Sequence, residues 1–286
     1  HQLKLTNRHV LTEQLGMTFN PYFDEISQTL YALHKSNNAA ISKVVKLEQN
    51  GSLTPLLSDN FYYTDVIANG DFLYLARLSN LTERECAIVE LNLVTQQLTQ
   101  LLSCGASVVT NMALESNNRL VYAYRESASA PYKLVAFNIR TARQQQLSFP
   151  DNSGNSLGHR IFAISNNQLA YINYHANKPD SLEIKTLNDS KSLFEVPLID
   201  HVQSLSWFND ILLISAKDGL YQFNREQNTL IQLDYSDTFN RIFASKDALF
   251  AEHYAVISNL YHITGTQTPL PITKRQASIL QFAPSP

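Results

Sequence analysis

No stretch of this sequence approaches eighteen consecutive apolar residues, so nothing in it reads as a membrane-crossing helix. Its longest apolar blocks, such as ILLIS at 211–215, have the length of a strand. Charge is scarce as well. Asp, Glu, Lys and Arg make up 16% of the 286 residues and sum to −3, while Asn and Gln fill roughly forty positions. The cations are scattered, without the basic run or stripe that a nucleic-acid surface needs, and no direct nucleic-acid contact is expected. Hydrophobic content of 44% excludes wholesale disorder. The sequence carries no signal peptide or lipidation motif, and it starts at His1 rather than Met. The expectation is an excised piece whose membrane tether lies outside this segment.

Chemical motifs are equally thin. There is no G-x-S-x-G elbow, H-E-x-x-H pair, phosphate-binding glycine loop or Asp-rich calcium loop, and two cysteines on one hairpin make a poor zinc site. No catalytic residue, cofactor or metal is therefore expected. The eight histidines are dispersed. His175 and His253 end apolar strands, where a polar tip at the edge explains them, and Trp207 reads as core rather than as a ligand platform.

What the chain does have is a repeat. Apolar strands align as TLYALHK (29–35), FLYLARL (72–78), LVYAYRE (120–126), LAYINYH (169–175), ILLISAK (211–217) and ALFAEHY (248–254). Each is preceded by a shorter apolar segment and a turn rich in Asn, Asp or Gly, residues that tolerate the left-handed backbone of tight hairpins. Each of the middle copies is followed by a second hairpin. In CAIVELNLVTQQLTQLL (86–102) and YKLVAFNIRTARQQQLSF (132–149) that hairpin turns on N-x-x-T; GLYQFNREQNTLIQL (219–233) is a looser copy. Asn92 with Thr95, and Asn138 with Thr141, can bond the backbone groups that the turn frees.

Four strands recurring every 40 to 50 residues predict an all-β, six-bladed β-propeller of four-stranded antiparallel blades, with a partial seventh blade left open. The blades fall at about 15–60, 61–107, 108–157, 158–199, 200–236 and 237–270 of a single domain spanning 1–286. Either or both of the segments 1–14 and 271–286, with RHVLTEQ (8–14) and ASILQFAP (277–284) as candidate strands, close the ring.

If the second hairpin is centred on Thr95, residue i faces residue 190−i, and Cys86 lies opposite Cys104, within disulfide reach. A bridge would imply an oxidising compartment such as a periplasm; the alternative is two buried thiols in a reducing one.

The repeat resembles the TolB-like (WD40-like) propeller family, whose S-P-D-G-x-x-L-A-Y pattern survives in degenerate form as FNPYFDEISQTLYAL (19–33) and ISNNQLAYI (164–172). The segment 124–151 and the cysteine hairpin are similar to the periplasmic propellers of CadC-type winged-helix transmembrane transcriptional regulators. That resemblance implies a non-enzymatic sensory domain that binds a protein or small ligand on a propeller face. The alternatives are a free periplasmic TolB-like interaction scaffold and a propeller hydrolase.

First strands of a propeller line its central channel. Arg160 and Arg241 stand nine and eight residues before Leu169 and Leu249 of their second strands, and Asn111 and Thr64 take comparable places. Two arginines at one channel mouth favour a carboxylate or other anion, because guanidinium pairs with such groups bidentately. The competing reading is that they cap carbonyls or pair with an acid such as Asp65. The polar loop 148–159 is either a recognition surface or an ordinary crossover.

Overall fold

The computed structural model describes residues 7–11, 16–36, 39, 41–79, 85–105, 108–116, 118–127, 129–148, 157–175, 179–188, 191–198, 201–233, 239, 241–244, 249–253 and 259–264. Twenty-four strands and no helix occur among them. After β1 (Asn7–Val10), the first sheet comprises β2 (Met17–Asp24), β3 (Thr29–Lys35), β4 (Lys43–Leu47) and β5 (Leu53–Pro55). The second comprises β6 (Tyr62–Asn69), β7 (Phe72–Leu78), β8 (Cys86–Asn92) and β9 (Leu98–Gly105). The third holds β10 (Val108–Ser116), β11 (Arg119–Arg125), β12 (Lys133–Asn138) and β13 (Arg143–Gln146). The fourth holds β14 (Phe162–Ser165), β15 (Gln168–Asn173), β16 (Ser181–Thr186) and β17 (Ser192–Pro197). The fifth holds β18 (Val202–Phe208), β19 (Ile211–Ala216), β20 (Gly219–Asn224) and β21 (Thr229–Gln232). The sixth is completed by the start of the chain: β22 (Arg241–Ala244), β23 (Leu249–His253) and β24 (Asn259–Thr264) are joined at the outer edge by β1, Asn7 facing Thr264. The segment 8–14 thus contributes to closure through β1, whereas 277–284 lies outside the described residues.

The sheets are antiparallel and each packs on the next, giving a β-propeller with four-stranded blades. Its core lies between sheets. Ile67, Tyr74 and Ile88 of the second sheet meet Met112, Leu120 and Tyr122 of the third, and comparable apolar clusters fill the other junctions. The last cluster returns to the start, where Phe250 of β23 packs against Leu30, Ala32 and Val45 of the first sheet. Burial explains the apolar blocks seen in the sequence. Second strands are sandwiched on both faces, so the middle four residues of β3, β11 and β15 are all buried, while β13 at an outer edge is exposed throughout. Each fully buried Leu, Ile or Val contributes about 1.5–3 kcal/mol relative to exposure.

The N-x-x-T hairpins turn as their side chains suggest. Asn92 Oδ1 accepts the amides of Val94 and Thr95, Asn138 Oδ1 those of Arg140 and Thr141, and Asn224 Oδ1 those of Glu226 and Gln227. The fourth residue after each Asn is then left-handed: Gln96, Ala142 and Asn228 have φ of 59°, 54° and 50°.

Cys86 and Cys104 are joined in a disulfide with Cα atoms 4.9 Å apart. The expected register is corrected in detail. Leu91 faces Leu98 and Glu90 faces Thr99, but shifts at Ile88/Val89 and Cys86/Ala87 move the ladder by one residue each. Cys86 consequently faces Gly105 and bonds the residue before it.

Candidate functional site

Four of the innermost strands break register, β18 between Val202 and Ser204 among them. β2 does so between Phe19 and Tyr22, β6 between Tyr63 and Asp65, and β10 between Val109 and Met112. A bulge adds a residue without a ladder partner and re-aims its side chain. Here the bulged positions hold Asn20, Thr64, Asn111 and Gln203, and Arg241 opens β22. Asn20 has φ of 48°, which suits an Asn.

Asn20 and Asn111 converge on the Arg241 guanidinium. Arg241 Nη1 donates to Asn20 Oδ1 and Nη2 to Asn111 Oδ1 at 3.1 Å, and Nη1 lies 3.6 Å from Asp65 Oδ1. The Asn20 side-chain amide donates to the Thr64 carbonyl at 2.6 Å, and its backbone amide to Glu252 Oε2 at 2.8 Å. Glu252 lies on β23 directly across from Arg241 and is buried. Asp65 is fully buried; its Oδ2 accepts the Met112 amide at 2.6 Å. Burial pushes the Asp65 carboxyl up to about 6, although Arg241 and the amides of Met112 and Val66 pull it back down.

Asn20, Asn111, Arg160, Arg241 and Glu252 line a central cavity of about 1060 Å³, which runs down the channel to the hairpin turns at Glu25, Asn166 and Asp210. Of the four residues expected at the channel mouth, Arg241 and Asn111 are bonded to each other and Arg160 stands on the cavity wall, exposed. Thr64 stands behind that wall, its hydroxyl donating to Val109 O at 2.7 Å as a link between neighbouring sheets. Arg241 makes the ion pair with Asp65 that was the competing reading. Asn20 and Glu252 were missed. The signals were available: an Asn-Pro dipeptide inside a strand, and an acid within the apolar run ALFAE (248–252).

A second polar cluster joins the two ends of the segment 148–159, of which 149–156 lie outside the described residues. His159 Nδ1 is 2.7 Å from Ser148 Oγ, and Nε2 is 3.1 Å from Asn173 Oδ1. Burial lowers the His159 pKa to about 4, so the ring is neutral at physiological pH. Ser148 has no exposed surface and its Oγ accepts the Leu134 amide at 2.9 Å. A nucleophile must be reachable, and this hydroxyl is not; the cluster is a structural anchor. Gly158 beside it has φ of 50°, and a Cβ there would lie 2.3 Å from Tyr132 O. The His175 backbone amide donates to Asp180 Oδ1 at 3.0 Å. The side chain of His253 lies outside the described residues. Trp207 packs partly buried on the core between the fourth and fifth sheets, with the Arg225 guanidinium over its ring.

No family model and no curated protein matches the chain. Solved structures do. A gluconolactonase from Xanthomonas campestris superposes with a TM-score of 0.63 at 12% identity, covering 91% of this chain and 94% of its own. An oligogalacturonate lyase in complex with manganese gives 0.61 at 12% identity, covering 90% and 79%. A Thermus thermophilus protein assigned as an oxidoreductase (glucose dehydrogenase) gives 0.61 at 11%, covering 90% and 99%. At such identities the likeness establishes the propeller fold alone. The expectation of a non-enzymatic sensory domain of a transcriptional regulator is corrected on the names of these three, each that of an enzyme; neither a TolB-like scaffold nor a regulator ectodomain is among them. The disulfide is compatible with an extracytoplasmic location, and no helix among the described residues is long and apolar enough to cross a membrane.

The manganese of the lyase raises the question of whether a metal fits here. The oxygens of Asn20, Asn111 and Asp65 would suit a hard cation, but the Arg241 guanidinium stands among them. No group of three or more His, Cys, Asp or Glu side chains able to hold a metal occurs among the described residues. With Arg241 in place a metal does not fit.

Proposed function

We propose that this chain is an enzyme-type propeller, a closed ring of six blades, acting on a small carbohydrate-derived substrate that bears a carboxylate or a lactone carbonyl. The substrate enters the central cavity, and Arg241 meets its anionic or developing anionic oxygen. The observation that carries this reading is the placement of Arg241. Its side chain is 23% exposed, it is oriented by two amides from other sheets, and its charge is balanced by a fully buried carboxylate behind it. A guanidinium held in this way costs little reorganisation when charge appears on a substrate oxygen. The neighbouring propellers, a gluconolactonase and an oligogalacturonate lyase by name, handle substrates of that kind.

Roles follow from the geometry. Arg241 stabilises the substrate oxygen; Asp65 lies behind the wall and positions Arg241. Glu252, buried beside Arg241, accepts the Asn20 backbone amide and so holds the bulge that aims Asn20 Oδ1 at the guanidinium. Arg160, on the same wall, offers a second cation to a substrate carboxylate. The disulfide supports a periplasmic location. The test is a pH-stat assay of aldonolactone hydrolysis, with calorimetric titration of aldonates and uronates. Turnover or binding that falls about tenfold or more in Arg241→Gln supports the reading. Neither turnover nor binding across both substrate classes removes it.

A further inference from the structure

We propose that Arg241 is the resident cation of the channel. It occupies the position a divalent metal would take, so the site holds no metal while the guanidinium is there and becomes a metal site only when it is removed. Three oxygens from three different sheets surround it: Asn20 Oδ1, Asn111 Oδ1 and Asp65 Oδ1. The amides are turned so that this is their oxygen face. Asn20 spends its Nδ2 on the Thr64 carbonyl at 2.6 Å, and Asn111 its Nδ2 on the Phe162 carbonyl at 3.5 Å. Each amide is fixed from behind with its acceptor aimed at the channel axis.

Such an arrangement demands a cation. Asp65 has no exposed surface, and a buried carboxylate without a counter-charge is strongly unfavourable. Arg241 supplies the charge through the end of a long side chain, carried across the channel by the start of β22. Neutral amide oxygens and carboxylates are also the donors that calcium and manganese choose. Removal of the guanidinium would leave those oxygens converging on one another with their orienting bonds intact.

The experiment titrates Mn²⁺, followed by its electron paramagnetic resonance signal and by thermal melting, into the wild-type protein, Asp65→Asn, Arg241→Ala and the Arg241→Ala/Asp65→Asn double variant. The wild type is expected to take up no Mn²⁺ that Asp65→Asn removes. Arg241→Ala is expected to gain one site and a higher melting temperature with Mn²⁺, both lost in the double variant. If Arg241→Ala does not fold alone, millimolar guanidinium or Mn²⁺ during refolding is expected to restore it. Three results overturn the proposal: Mn²⁺ uptake by the wild type that Asp65→Asn abolishes, a folded Arg241→Ala that takes up none, or an unfolded one that neither cation restores. Lactone turnover is not read, so these outcomes leave the substrate assignment to stand or fall separately.

Discussion

Arg241 and Asn111 lie three sheets apart in either direction round the ring, yet their side chains meet at 3.1 Å, Nη2 on Oδ1. The bond crosses the channel and ties opposite sides of the propeller through one side chain. Asp65, from a third sheet, completes the contact at 3.6 Å.

Breaking that pair exposes its energetics. Arg241→Met leaves Asp65 buried without its partner and is expected to cost roughly 3–5 kcal/mol at neutral pH by chemical denaturation. The Asp65 carboxyl is already raised to about 6 from 3.8. A group raised in the folded state adds stability that is fully present below its unfolded value and is lost as pH rises through the folded one. The Arg241→Met penalty should therefore shrink below pH 6, where Asp65 is protonated. An equal penalty at pH 5 and pH 8 would contradict the assignment.

His159 acts in the opposite direction. Its ring is held neutral with a pKa of about 4 against 6.5 unfolded. Its contribution is complete above 6.5 and is lost as pH falls toward 4, about 3 kcal/mol in all. Denaturation midpoints at pH 7 and pH 4.5 measure the loss, and His159→Gln should flatten that part of the profile.

Reduction of the disulfide tests the compartment and the stability together. A bridge with a sequence separation of 18 is expected to stabilise the fold by about 3 kcal/mol. Thiol titration of denatured, unreduced protein should find no free thiol, and Cys86→Ser/Cys104→Ser should lower the melting temperature.

The hairpin turns yield to two substitutions of opposite sign. Asn138→Ala removes the acceptor for the Arg140 and Thr141 amides and should cost about 1 kcal/mol. Ala142→Gly relieves a left-handed alanine and should gain up to about 1 kcal/mol. A destabilised Ala142→Gly would mean that the turn geometry is not limiting.

How far these features could be read in advance followed the range of the interactions behind them. The apolar runs 29–35 and 72–78 coincide with β3 and β7 to the residue, because both faces of those strands are buried and no other placement satisfies them. The Asn92 and Asn138 turns were equally legible, their hydrogen bonds closing within three residues. The cysteine register slipped because bulges have no pattern in the sequence. For the same reason Thr64, counted as an equal of Asn111, became a link behind the wall. Asn20 and Glu252 join the site through bonds spanning most of the chain, which a repeat-by-repeat reading does not reach. The cluster around Arg241 was not legible at all: no motif carries it, and it exists only when distant sheets meet.

The pairing of Asn7 with Thr264 also orders events in time. As the chain emerges from the ribosome, β2 to β5 can form a complete sheet early, but β1 must wait until β24 has been made. Ring closure is thus the last step of assembly. Until then the face formed by Leu30, Ala32 and Val45 lacks Phe250 and stays open to chaperones or to a second unfinished chain.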